Sequence, residues 1–375
     1  MTSRCGVWMF AVLTSALFWF ALCGCGGSNS SGSSQPPPPP PPVTPDYQHN
    51  LSATSAWLAT QTLPDGAILY SSTEIDPYFS NLAATGWLAD SSRIPAVEAW
   101  MKWYLAHLNQ PDSSGLHGTI YNYNVSSGAE TSTGDYDSAD SYAATFLSLA
   151  EALWNTGDQE AQKFLQGLSE QDFLSIAGAI TSLQQANGLV YAKADYKVEY
   201  LMDNSEDYRG LADFAALLGQ AWNETAAAAA YNAYAASIQA GIQNVLYIPA
   251  QGLYYPYAGS AAPNMITWYP DSVAQLFPIT NGVIAATGAQ AQKVYGNFNA
   301  AWLSWPQLSF KSQDSFPWCV TGYAGYLMND TTHTNAYLVS IQNQYVNASP
   351  QFPWPFYSAE AGWFMRANAG MAAQK

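Results

Sequence analysis

After residue 47 the apolar residues recur at three- and four-residue intervals along most of the chain. This period predicts helices over 51–62, 80–90, 95–109, 138–156, 159–185 with a break near Gln171, 205–220, 223–246, 271–288, 290–303, 320–328, 331–346 and 357–370. Between them the pattern switches to short strings that alternate as strands do. These are Asp65-Gly66-Ala67-Ile68-Leu69-Tyr70, Gly118-Thr119-Ile120-Tyr121-Asn122-Tyr123, Gly188-Leu189-Val190-Tyr191 and Gly252-Leu253-Tyr254-Tyr255, with glycines 52, 70 and 64 residues apart. Looser strings rich in Phe, Trp and Pro follow at 314–318 and 352–356. A unit of roughly 60 residues carrying two helices and one β-like loop is an internal repeat. The predicted helices pair into six hairpins.

A closed ring satisfies that arithmetic, and the chain resembles the six-hairpin glycosidase-like superfamily, the (α/α)6 toroids. The resemblance covers residues 47–375. It implies an all-α fold in which inner helices form a barrel and short β-like Tyr/Gly-rich loops at one end line a cleft. An α-solenoid is the alternative, but long Tyr-rich loops and the lack of atypical polar end repeats count against it.

The first residues belong to a different regime. Arg4 precedes an apolar stretch over 5–22, and Leu22-Cys23-Gly24-Cys25 follows. A charged start, a short apolar core and a small-residue site read as a secretory signal. The ending resembles a bacterial lipobox, which implies a signal peptide over 1–24, cleavage before Cys25 and lipidation of that residue. Residues 25–46 then form a tether: Gly and Ser give flexibility, and the proline run over 36–42 gives an extended rod. Only Cys25 and Cys319 outlast the signal, so no disulfide is expected. Gly26 lacks the Asp linked to inner-membrane retention; the resemblance points to an outer membrane where the source has one.

Composition narrows the partners. The formal charge is −16, becoming −17 once Arg4 leaves, and charged residues are only 10 % of the chain. So acidic a chain is a poor ligand for nucleic acid, and the expected membrane contact is the lipid anchor alone. Aromatics reach 14 %, with 25 tyrosines. Tyr and Trp stack on the apolar faces of neutral sugars without needing a cation. Trp87, Tyr191, Tyr255, Trp268 and Trp318 are candidate sugar platforms, each weighed against ordinary core packing. His49, His107, His117 and His333 are scattered, so no metal or cofactor is expected.

Carboxylates gather where loops meet helices. Asp135, Asp137 and Asp140 precede or begin a helix whose face is Ala143, Phe146, Leu147, Ala150 and Leu153. Helix capping explains one of these acids but not all three. Asp203, Glu206 and Asp207 form a second cluster in which Ser205 is the expected cap, Asp203 lies in the loop, and Asp207 pairs with Arg209 or meets solvent. Glu74 and Asp76 sit before helix 80–90, and Asp271 follows Tyr269-Pro270. Glu360 stands alone, its expected role a hydrogen bond in the barrel lining.

Glycoside hydrolysis needs two carboxyl groups facing one bond. In a toroid, helix starts distant in sequence converge at one end, so these acids can share a cleft. In the six-hairpin proteins an Asp at an inner-helix start commonly serves the site, a position Asp140 matches. The expected catalytic set is Asp140 with Asp203 or Glu206, and Asp271 third. Asp137, Glu74 and Asp76 are expected to contact substrate. The expected function is an extracytoplasmic glycoside hydrolase on a neutral saccharide. A noncatalytic glycan-binding lipoprotein is the alternative. A lyase or epimerase ranks lower, because a polyanionic substrate would be repelled.

Overall fold

The computed structural model describes residues 44–374. The signal segment, Cys25 and the tether up to residue 43 lie outside the described residues. Among those described, no helix is long and apolar enough to cross a membrane.

In chain order the helices are α1 (Tyr47–Thr60), α2 (Pro77–Trp87), α3 (Ile94–Ala106), α4 (Ala139–Trp154), α5 (Gln159–Gln166), α6 (Glu170–Leu183), α7 (Leu201–Ala221), α8 (Thr225–Gly241), α9 (Phe277–Thr280), α10 (Ala289–Ala301), α11 (Val320–Leu327), α12 (Thr331–Ile341) and α13 (Ser358–Ala373). Contacts run α2–α4–α7–α9–α11–α13 and back to α2. That closes a ring of six inner elements. Helices α1, α3, α6, α8, α10 and α12 pack outside it, and α5 is an extra segment before α6. The fold is an (α/α)6 toroid.

Burial on one side or on two explains the helix compositions. Thirteen of the residues in α4 are buried, because an inner helix meets neighbours on both faces. In the outer α8 only Ala235, Ile238 and Gly241 are buried. Ring closure depends on close approach: a Cβ on Gly86 of α2 would lie 2.2 Å from the Gly362 carbonyl oxygen of α13, and one on Gly362 would lie 2.1 Å from that of Leu82.

Three of the four repeated glycines share one structural cause, while Gly252 faces only the Lys293 side chain. Gly66, Gly118 and Gly188 all have positive φ, and a Cβ on each would strike backbone of the next outer helix, at Ala99, Ser175 and Ser237. The turn therefore docks against its neighbouring hairpin, which fixes the repeat's period in three dimensions.

Two helix expectations change. The 159–185 segment breaks at 167–169, where Ser169 caps α6 through the Asp172 amide. Helix 271–288 is instead a wide turn (Trp268–Ser272), a tight turn (Val273–Leu276) and the short α9. Pro270 and Pro278 each remove a backbone donor there. The Gln275 side chain ties this segment to β5 and to its own turn by bonding Tyr254 N, Tyr254 O and Asp271 O.

Long connections (61–76, 107–138, 184–200, 247–267, 302–319 and 347–357) all run from an outer to an inner helix. They gather at the N-terminal ends of the barrel helices. Strands β1 (Glu74–Ile75), β2 (Tyr123–Ser126) and β3 (Ala129–Ser132) form an antiparallel sheet there, with Glu74 opposite Asn124. β4 (Tyr247–Ile248) and β5 (Leu253–Tyr254) form a second pair.

Candidate active site

The barrel mouth is built from inner-helix starts. Asp76 caps α2, its Oδ1 accepting the Tyr78 and Phe79 amides at 3.1 and 3.3 Å. Its other oxygen accepts the Tyr142 hydroxyl of α4 at 3.1 Å. A cap ordinarily holds a carboxylate ionised, but burial outweighs those bonds and pushes Asp76 up to about 7.

Helix α4 begins one residue before Asp140, and Ser138 is its cap by position. The Ser138 hydroxyl does not cap the helix; it reaches the Asp140 carboxylate and lies 3.1 Å from Asp203 Oδ2 on α7. Asp140 also accepts the Ser141 amide at 2.7 Å. Its other oxygen faces Asp207, neither of whose oxygens has another partner. A proton shared between these two carboxyls satisfies them, since two ionised acids in a dry interior would be costly. Burial, with Asp203 for Asp140 and with Asp140 for Asp207, holds both well above the usual carboxylate range.

This corrects three expectations. Asp140 is fully buried, so it braces the mouth and does not face a substrate. Asp207 pairs with Asp140, while Arg209 binds Asp213 at 2.7 Å. Ser205 is no cap: α7 starts four residues earlier, Asp203 lies in its first turn, and Ser205 bonds the Leu201 carbonyl inside the helix.

Glu206 is the acid on α7 that reaches across the mouth. Tyr78 of α2 donates its hydroxyl to Glu206 Oε1 at 2.8 Å. Burial and the nearby Asp203 charge hold Glu206 well above the ordinary range, against the Tyr78 bond. Asp203 is pushed up to about 6, mainly by burial. On the opposite member of the ring, Glu360 of α13 accepts the Trp318 amide at 3.1 Å and the Cys319 amide at 2.5 Å. Burial pushes it up to about 7 even so. Asp137 is exposed, and its charge bears on both Asp76 and Asp203.

The remaining acids are peripheral. Glu74 is exposed on β1 and accepts Ser71 Oγ at 3.3 Å. Asp271 ties its own loop by accepting the Asn264 amide at 2.9 Å. Asp135 pairs with Lys193 at 3.2 Å.

Of the candidate aromatics, Trp87 and Trp268 belong to the core and cannot stack on a ligand. Trp87 is 1 % exposed and donates to Ser55, at the far end of α2. Trp268 is fully buried, with its ring centroid 4.0 Å from that of Phe310. Tyr191 and Tyr255 are half-buried and pack on the core. Trp318 is half-buried and stacks on exposed Tyr269 at 5.3 Å. Trp354, 60 % exposed, meets Tyr70, Phe316 and Tyr357 in a second cluster. Tyr78 and Trp354 carried no functional signal in the sequence beyond an aromatic in a loop or at a helix start.

No protein-family model matches the sequence, and no curated protein sequence matches it. Solved structures do match in shape. A glycosidase variant in complex with glucose superposes with a TM-score of 0.62 at 11 % identity, covering 87 % of this chain and 97 % of that one. A bacterial glucoamylase complexed with acarbose gives 0.59 at 11 % identity, over 88 % of this chain and 57 % of that one. A GH63 mannosylglycerate hydrolase from Thermus thermophilus in complex with glucose gives 0.56 at 10 % identity, over 84 % and 99 %. The ring of six inner helices, with its long loops at one mouth, is thus a fold this chain shares with these glycosidases.

Proposed function

We propose that the protein is a glycoside hydrolase acting on a neutral saccharide, with Glu206 as general acid and Glu360 as general base. The observation that carries this reading is their placement on α7 and α13, the third and sixth members of a six-element ring. Acids on opposite sides of a mouth can flank one glycosidic bond. Burial and the Asp203 charge keep the proton on Glu206, which can then be given to the leaving oxygen. Glu360 is held by two backbone amides and the Cys319 thiol, which leaves a lone pair for water. Titration near 7 suits a base. Asp203 and Asp137 sustain the negative field in which an oxocarbenium-like charge develops. The glycosidase neighbours and the aromatic rim support a sugar substrate; the acidic balance supports a neutral one.

The full chain incubated with neutral and acidic glycans tests this by product mass. Products heavier by one water, lost in Glu206→Gln and in Glu360→Gln, are expected. Unsaturated products would indicate a lyase, and binding without product a glycan-binding lipoprotein. We also propose attachment through a lipid on Cys25, supported by the Leu22–Cys25 string. Cys25→Ser should move the protein out of the detergent phase.

A further inference from the structure

The barrel holds a cavity of about 120 Å³ whose lining includes Glu206 of the mouth. Its lining includes Arg209 and Asp213 of α7, Tyr323 of α11, and Trp363 and Arg366 of α13. In a chain with only 11 basic residues, two arginines line this one cavity, facing the carboxyls of Glu206 and Asp213, and the Asp213 charge bears on both. Arg209 donates through Nε to Asp213, which balances one of them, and its terminal amino groups have no acceptor among the described residues. Arg366 has neither an ion pair nor a hydrogen bond among the described residues. Its guanidinium carbon lies 4.1 Å from the Tyr323 ring centroid and 4.3 Å from that of Trp363. Two rings hold the guanidinium in place while its N–H donors stay unpaired. A planar fork fixed in this way is prepared for bidentate binding of an oxyanion.

We propose that this cavity binds a small oxyanion, a carboxylate or a phosphate-type group, with Arg366 as the fork and the free amino groups of Arg209 as further donors. The cavity shares Glu206 with the proposed catalytic pair, but anion binding at the two arginines does not itself require hydrolysis. The competing role, answering the carbonyl ends of the inner helices, predicts a stability contribution with no dependence on a particular anion.

Tryptophan fluorescence and Tm of the full chain are followed while sodium phosphate, or in a second arm sodium glucuronate, is titrated against sodium chloride at matched ionic strength. A saturable change at millimolar concentration is expected with at least one of them. Phosphate alone assigns a phosphate-type ligand, glucuronate alone a carboxylate, and both an unselective oxyanion site. Arg366→Gln should abolish the change. Arg366→Lys keeps the cation over the rings without the fork, so it should stay folded and bind at least tenfold more weakly. No change beyond chloride, or a change that persists in Arg366→Gln, would overturn the proposal. Because the readout is binding, it succeeds or fails independently of glycan turnover.

Discussion

Tyr78 and Glu206, 128 residues apart, are joined by a 2.8 Å hydrogen bond between the first and third inner helices of the barrel. The phenol favours the ionised acid, while burial and Asp203 oppose ionisation more strongly. Tyr78→Phe should therefore raise the Glu206 pKa further and move the corresponding limb of the pH–rate profile to higher pH. Loss of one charge-assisted bond corresponds to about a tenfold fall in rate. Glu206→Gln should cost about 10²–10⁴-fold in kcat with the fold intact. An unmoved profile in Tyr78→Phe would argue that Glu206 is not the group titrating in catalysis.

Stability should fall as pH rises from about 4 to 8. Asp76 and Glu360 are each raised to about 7 and Asp203 to about 6 in the folded protein. An acid with a raised folded pKa binds its proton more tightly folded than unfolded. Its stabilising contribution is complete below the unfolded pKa and is lost as pH passes through the folded value. Thermal melts across this range should show Tm declining toward alkaline pH. Glu360→Gln, which cannot ionise, should flatten the decline. A Tm that rises from pH 5 to 8 would contradict the burial of these groups.

The α2–α13 seam has no room for a side chain. Gly86→Ala and Gly362→Ala should each destabilise by at least about 1–3 kcal/mol in a denaturant titration, because the obstruction is backbone. Gly219 in α7 has nothing within 4 Å of a built Cβ, so Gly219→Ala should be neutral or stabilise by about 0.5–1 kcal/mol. Equal effects at all three positions would mean the seam does not close the ring.

Trp354 and Trp268 should separate binding from folding. Trp354→Ala removes an exposed ring and should raise KM for an oligosaccharide about three- to tenfold with little change in Tm. Trp268→Ala empties a fully buried position and should cost about 3–5 kcal/mol of stability. A Trp354→Ala enzyme with unchanged KM would remove that cluster from the binding surface.

The toroid was legible in the sequence because its signals are local and repeated. A helix of period 3.6 and a turn glycine every 52–70 residues are properties of short segments, and counting them gave six hairpins. Segments where local rules are overridden were not legible. The 271–288 helix fails at Pro270 and Pro278, and the buried Gln275 side chain instead bonds the backbone of Tyr254 in β5, a partner the local pattern does not show.

The same division holds for the site. Sequence alone showed that Asp76, Asp140, Asp203, Glu206 and Asp271 lie near helix starts that can share one mouth, and the structure leaves Asp271 in its own loop. Only tertiary structure decided their exposure and partners. Asp140 and Asp207 sit sealed between α4 and α7, Trp87 lies at the far end of α2, and Glu360 meets the amides that begin α11. Those outcomes depend on which faces of neighbouring helices meet across the ring. Helical periodicity defines a residue's own face, but the partner opposite it is chosen by packing between segments a hundred or more residues apart.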